Sequence, residues 1–340
     1  MASSSYFTSV HNPSTSSWAK DIQIIPSWLN RLPLAKTHHE LYPILTPIAF
    51  ESFNFNNYDV VISITSAEAK AIITKPSTFH LCYCLTPTRY LWSHNQEYLD
   101  SPGLGGWSKV GKLVFNKTKN YLKKLDQITA FRPDQYLAIS KVVQKRIEKY
   151  YHQKSTIIFP PVDTKIFSHK KSKNYFLLVS RLTPYKKVDL AIKAFNQLNE
   201  KLIIVGTGRE ETSLRSLAGP TIQFTGEISD RQLIKLYSHS QALIMPQEED
   251  FGLVAIEAQA AGKPVIAFDS GGATETILSK TTGLFFASQT VDSLSLAVKR
   301  FRTYSWDSQK IQTHAKKFDQ TIFKQKIKKF VETQWQIKNQ

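Results

Sequence analysis

Two glutamates, Glu249 and Glu257, stand with seven residues between them in the segment PQEEDFGLVAIEAQAAGKPV, Pro246 to Val265. An apolar run, Ala242 to Met245, precedes the segment, and another, Val265 to Phe268, closes it. That order reads as a strand, an acidic turn, a helix and a second strand. It sets Glu249 at the carboxyl end of a parallel sheet, where open α/β folds bind ligands. If Gly252 opens the helix, Glu257 falls in its second turn. The backbone N–H groups near Phe251 and Gly252 are then free to meet a polyhydroxylated ligand or a phosphate. A solvated acidic turn is the competing explanation of the Glu-Glu-Asp run.

The elements that must position these residues alternate regularly through the second half. Strand-like runs fall at Tyr175–Arg181, Leu202–Thr207, Ile222–Gly226, Ala242–Met245, Val265–Phe268 and Gly283–Phe286, with helical patterns such as Val188–Leu198 and Asp230–Ser238 between them. A βα repeat of this kind implies a parallel sheet with helices on both faces. The adjacent Pro160 and Pro161 stiffen the linker IIFPPVDTKIF and mark a domain boundary. The first half is also α/β, with strands expected at Tyr6–Val10, Asp59–Thr65, Thr78–Leu85 and Gln135–Ile139. Ser66 and Ser140 are placed as helix N-caps. No glycine precedes Gly103, so the strand, Gly-rich turn and helix that usually open a nucleotide-binding α/β domain are missing from the start.

Length and composition set the class. A chain of 340 residues, 41% hydrophobic, has room for two domains with substantial cores. No apolar run reaches the roughly 18 residues of a membrane span. The opening MASSSYFTSVHNPSTSSW has neither the basic start nor the apolar core of a secretory signal. Cys82 and Cys84, one residue apart, are too close for an ordinary disulfide and too few for a metal site, which points to a reduced, cytosolic protein. Lys and Arg outnumber Asp and Glu by 44 to 27, a net +17 that calls for an anionic partner. The excess gathers at Lys112, Lys117, Lys119, Lys123 and Lys124, with Trp107 and Tyr121 interleaved, and again at Lys316, Lys317, Lys324, Lys326, Lys328 and Lys329 in a long C-terminal helix. Basic amphipathic helices can lie on an anionic membrane, or pack an apolar side on a sheet. No aromatic stacking strip accompanies them, which argues against nucleic acid.

Several segments together resemble the family 4 glycosyltransferases of the GT-B fold: SRLTPYKKVDLAI from Ser180, IIVGTGRE from Ile203, FTGEISD from Phe224, EEDFGLVAIEAQAAGKPVIA from Glu248 and SGGATETI from Ser270. In the first half HLCYCLTPTRYLW from His80, FRPDQYLAISKVVQKRI from Phe131 and FPPVDTKIF from Phe159 resemble the bacterial mannosyltransferases of O-antigen, capsule and exopolysaccharide assembly. The resemblance implies two Rossmann-like domains facing across a cleft. They would be an acceptor-side domain over 1–165 that lacks its first βα unit and a nucleotide-sugar domain over 166–318, with 319–340 as a helix returning toward the first.

By that resemblance Arg181 and Lys186 neutralise the departing diphosphate without a metal. Chemically, Arg suits a bidentate grip and Lys a point charge. Glu249 would bind donor-sugar hydroxyls with the N–H groups of Phe251, Gly252 and Leu253, and Glu257 the ribose. Gly206 and Gly208 would form a tight turn near the nucleotide, and Gly271 and Gly272 a loop beside the cleft. Glu248 and Lys187 are read as surface residues and Glu275 as a cap of its own helix. Thr86, Arg89 and Tyr90 match the acceptor-side TP-x-R-Y segment. Leu85 stands where that subgroup often has His; His80, at a strand edge, and His94 are weak substitutes. The implied activity is retaining transfer of a sugar, mannose from GDP-mannose, to a lipid-linked oligosaccharide or polysaccharide precursor. It would take place at the cytoplasmic face of the membrane, with a nucleotide-sugar co-substrate and neither metal nor cofactor. A truncated or degenerate, non-catalytic sugar-nucleotide or glycan-binding homologue is the alternative, and Leu85 and the missing opening unit favour it.

Overall fold

The computed structural model describes residues 5–93 and 108–338. His94 and Trp107 lie outside the described residues, as does the side chain of Lys112. The chain divides into one unit of Met1–Ile139, Val143–Ile157 and Lys329–Gln340 and another of Ser140–Val142 and Ile158–Lys328.

In the first unit β1 (Tyr6–Thr8) pairs in parallel with β2 (Ile24–Pro26). Phe7 anchors this pair by edge-on contacts with Phe53, Phe55 and Tyr58. Then follow α1 (Leu45–Glu51), β3 (Val60–Thr65), β4 (Phe79–Cys84), α2 (Arg89–Trp92), α3 (Ser108–Thr129), β5 (Gln135–Ala138), α4 (Lys141–Tyr151, whose Lys141 and Val142 belong to the second unit) and β6 (Thr156–Ile157). The sheet runs β3-β4-β5-β6 and is parallel throughout. Every residue of β4 is buried, as befits an inner strand covered on both faces. His80 is therefore no strand-edge residue. It lies fully covered in β4 with Nε2 2.8 Å from Ser63 Oγ, and burial lowers its pKa to about 4.

One other expectation changes here. Ser66 does not cap a helix: the segment makes a short 3-10 turn, Glu68–Ala71, and the Thr65 hydroxyl accepts the Ala67 N–H at 2.9 Å. Lys70 accounts for the difference, because its side chain turns inward, and Pro76 soon bars any continuation of the helix. On the basic helix α3, Tyr121 is 56% exposed, while Leu122, Asp126 and Thr129 face inward. Lys70 and Asp126 form a buried ion pair. Asp126 also accepts from Thr88 Oγ1 at 2.9 Å and Trp92 Nε1 at 2.7 Å, while Lys70 donates to the Ala67 carbonyl at 3.0 Å. The Lys70 ammonium lies 4.9 Å from the centre of the Tyr151 ring.

The second unit contains β7 (Phe176–Val179), α5 (Val188–Leu198), β8 (Leu202–Val205), α6 (Glu211–Leu217), β9 (Ile222–Gly226), α7 (Asp230–His239) and β10 (Leu243–Met245). It continues with α8 (Leu253–Ala260), β11 (Val265–Phe268), α9 (Ala273–Thr276), β12 (Gly283–Phe286), α10 (Val291–Phe301), α11 (Ser308–Ala315) and the start of α12 (Gln320–Lys338). Its six strands are parallel in the order β12-β11-β10-β7-β8-β9. Alternate residues feed opposite faces: Phe176 and Leu178 pack with α5 and α10, whereas Leu177 packs with Tyr237 of α7 and Ala255 of α8. Successive strands step outward from β7 to β9, and the chain then returns to add β10 on the other side of β7. That reversal leaves a crevice at the carboxyl ends of β7 and β10, the place where doubly wound sheets bind ligands. Among the described residues no helix is long and apolar enough to cross a membrane.

The Lys70–Asp126 pair yields a stability test. Removing one partner strands the other charge in the interior, so Asp126→Asn is expected to lose about 3–5 kcal/mol in urea unfolding. The apolar double replacement Lys70→Met/Asp126→Leu recovers most of that loss. If the single and double variants were equally destabilised, ion pairing would not be the cause.

Candidate active site

The loops that leave β7 and β10 flank the crevice. The first, Ser180 to Lys187, carries Arg181 and Lys186; the second, Pro246 to Gly252, carries Glu249. Lys186 Nζ is ion-paired with Glu249 Oε1, both side chains being mostly covered. The same oxygen accepts from Gln247 Nε2 at 2.8 Å, and the Gln247 side chain is buried. On the opposite loop Arg181 Nη2 donates to the Tyr185 hydroxyl at 3.1 Å, and Lys186 lies 5.1 Å from the centre of the Tyr185 ring. Thr183, which opens the turn holding Lys186, has a buried hydroxyl oxygen with no hydrogen-bond partner. Such an atom in a folded protein calls for a partner.

Glycines from the neighbouring strands brace both loops. A Cβ on Gly206, where φ is +126°, would lie 2.0 Å from the Ser180 carbonyl oxygen, and one on Gly208 would lie 2.3 Å from that of Leu182. On the other side, a Cβ on Gly272 would come within 2.4 Å of Phe251 Cα, and one on Gly271 within 2.4 Å of the Glu249 carbonyl oxygen. The Gly272 N–H donates to that carbonyl at 2.7 Å. Absent side chains thus let the β8 and β11 loops press directly on the loops bearing Arg181 and Glu249.

Gly252, at φ +89°, is the N-cap of α8, and no side chain caps that helix. Gly252 and Leu253 therefore open the first turn, directly after Phe251. The Phe251 ring is buried between Phe159 at 5.5 Å and Phe318 at 5.8 Å, so it anchors the loop. Glu257 sits in the second turn of α8 and accepts from the Tyr237 hydroxyl at 2.6 Å. Burial raises the Glu257 carboxyl above the usual range, a shift that the Tyr237 hydrogen bond opposes.

The other expected residues divide. Lys187 and Glu248 are exposed, Lys187 with a left-handed φ of 51° and Glu248 accepting from Ser270 Oγ at 2.8 Å. Glu275 does not cap its own helix: its carboxylate accepts from the N–H groups of Lys141 at 2.8 Å and Val142 at 3.4 Å, residues of the same unit. In the first unit Thr86 is buried, with Arg146 Nη1 3.4 Å from its hydroxyl, and the Tyr90 hydroxyl donates to Glu68. Burial raises the Glu68 carboxyl. Arg89 begins α2, half-buried. Gln247, Tyr237 and Glu68 were not singled out from sequence. Gln247 had a signal, lying two residues from Glu249; Tyr237 and Glu68 are placed by tertiary contact alone. Among the described residues no three His, Cys, Asp or Glu side chains converge to hold a metal.

Residues 159–318, which contain the whole crevice, match the model of the family described as glycosyl transferases group 1. The chain is similar to a GDP-mannose-dependent monoacylated alpha-(1-6)-phosphatidylinositol monomannoside mannosyltransferase of Corynebacterium glutamicum, 39% identical over 132 residues, 34% of each chain. It is also similar to an O-antigen chain mannosyltransferase of Salmonella typhimurium, 29% identical over 55% of this chain and 59% of that one. The match thus spans about a third of the first relative's length and somewhat over half of the second's. Among solved structures, the sucrose-phosphate synthase of Thermosynechococcus elongatus superposes with a TM-score of 0.68 at 17% identity, over 96% of this chain and 85% of that one. The fold is GT-B, as the sequence resemblance implied.

The glycine contacts separate steric from conformational effects. Gly272→Ala must displace the Phe251 backbone and is expected to cost about 1–3 kcal/mol and to disturb the Glu249 loop. Gly226→Ala places its Cβ in open space and meets only the penalty of a positive φ, about 1–2 kcal/mol, with the Glu249 loop undisturbed. Urea unfolding and amide hydrogen exchange over residues 246–252 distinguish them; unchanged exchange in the Gly272 variant contradicts the bracing role.

Proposed function

We propose that the protein is a retaining, metal-independent glycosyltransferase of family 4 that moves mannose from GDP-mannose to a lipid-linked glycan precursor. The observation that carries this reading is the Lys186–Glu249 pair at the switch point of the second sheet, with Arg181 on the same loop as Lys186. A nucleotide-diphosphate-sugar requires cationic groups for the leaving diphosphate and acceptor oxygens for the sugar hydroxyls, side by side. The pair supplies one of each. Lys186 would leave Glu249 for the diphosphate as negative charge develops, and Arg181 would add a second cation. Glu249, relieved of the ammonium, would accept hydrogen bonds from sugar hydroxyls, while the open N–H groups at the start of α8 hold the same sugar. Glu257 would accept from the ribose.

In such a site the leaving phosphate can itself take the acceptor proton, so this chain's residues bind, orient and neutralise rather than act as a general base. Mannose is favoured by both mannosyltransferase relatives, and GDP and a lipid-linked acceptor by the GDP-mannose dependence and phosphatidylinositol-based substrate of the Corynebacterium glutamicum one. The exposed Lys316, Lys317, Lys324, Lys326 and Lys329 suit an anionic membrane surface, and we place the enzyme there, at the cytoplasmic face.

Lys186→Ala is expected to lower kcat for transfer from GDP-mannose by about 100- to 1,000-fold, the scale seen when one transition-state charge partner is lost. Radiolabel transfer to extracted lipid-linked glycans measures it. A variant retaining near wild-type turnover sinks the assignment of Lys186.

A further inference from the structure

Glu257 and Glu249 are held in opposite ways. Glu249 is engaged by a cation that a ligand can draw away. Glu257 is engaged by a neutral phenol buried beneath it: Tyr237 of α7 is fully covered, and its hydroxyl donates to Glu257 Oε2 at 2.6 Å. The Tyr237 ring is itself fixed, edge-on to Phe167 at 5.8 Å and packed among the side chains between α7, α8 and the sheet.

A phenol has one proton to donate. It therefore occupies one acceptor position on Oε2 and leaves the rest of the carboxylate unengaged. A lysine or arginine in its place would neutralise the charge and compete for both oxygens. The phenol instead fixes the direction of the carboxylate without cancelling its negative charge, which is what a group that must accept two neighbouring hydroxyl protons requires. Fixing a flexible glutamate before the ligand arrives removes the rotamer freedom that binding would otherwise have to freeze. The hydrogen bond also opposes the effect of burial, which favours the protonated carboxyl.

We propose that Tyr237 is a positioning residue for nucleotide recognition, orienting Glu257 toward the vicinal hydroxyls of the donor's ribose. This rests on the assignment of Glu257 as the ribose ligand, so the test separates the two. Tyr237→Phe keeps the ring and removes only the hydroxyl. The full-length protein is titrated calorimetrically with whichever of GDP and UDP the wild type binds more tightly, and with its 2′,3′-dideoxy counterpart.

The expected result is a five- to twenty-fold weaker Kd of Tyr237→Phe for the ribonucleotide, with less than a twofold change for the dideoxy nucleotide. In steady-state transfer the loss falls on KM for the nucleotide-sugar rather than on kcat. An equal loss for both nucleotides, or a thermal melting drop that accompanies it, marks a packing defect and overturns the proposal. So does unchanged ribonucleotide affinity. Glu257→Ala locates the failure. If that variant loses the preference for the ribonucleotide while Tyr237→Phe keeps it, the role of Tyr237 alone is wrong. If Glu257→Ala keeps the preference too, Glu257 does not bind the ribose and both statements fall.

Discussion

Everything in the second unit turns on the reversal of strand order at β7. Because β10 is laid beside β7 only after β8 and β9 have been added on the other side, the loops following β7 and β10 diverge instead of packing over the sheet edge. The gap is bridged by one ion pair, Lys186 to Glu249. Neither partner could be placed by its own loop alone. The first loop is seated on Gly206 and Gly208, the second on Gly271 and Gly272, and the pair forms because both seats are fixed by neighbouring strands. Sheet topology, glycine placement and charge thus serve a single geometric end.

The first unit solves a different problem with similar means. Its parallel sheet is short, and the segment after β4 must cover the sheet's carboxyl end. A buried ammonium and carboxylate accomplish this, each with further hydrogen-bond partners, so that Thr88, Trp92 and Tyr151 are drawn to one point. Such a pair adds little net stability over an apolar replacement, but it tolerates few alternative arrangements. The price of that specificity is vulnerability to loss of either charge.

How much of this was legible in the sequence follows from distance along the chain. The second sheet was readable because each strand is a compact apolar run closed by turn residues, and because the repeat is regular. Glu249 and Glu257 could be placed at a strand end and in a helix's second turn from their local order, whereas Arg181 and Lys186 were picked out only through the family resemblance. The Lys70–Asp126 and Tyr237–Glu257 pairs were not readable, since their partners lie 56 and 20 residues apart and nothing local marks them. β2 was missed because three residues ending in proline carry no alternation to detect. The helix expected after Ser66 had a good local cap, but the inward turn of Lys70 overrode it.

Under the proposed donor assignment, the bridge between Lys186 and Glu249 would also make the site selective in a way that neither residue is by itself. A phosphate that attracts Lys186 leaves Glu249 mostly covered and without its cation, which offsets much of what the phosphate gains. A polyol that engages Glu249 must likewise compete with a charged neighbour. Only a ligand bringing anionic oxygens and hydroxyl groups together, at the right spacing, satisfies both partners as they separate. On that assignment the ion pair would work as a coincidence detector, answering strongly to two chemical groups on one molecule and weakly to either alone.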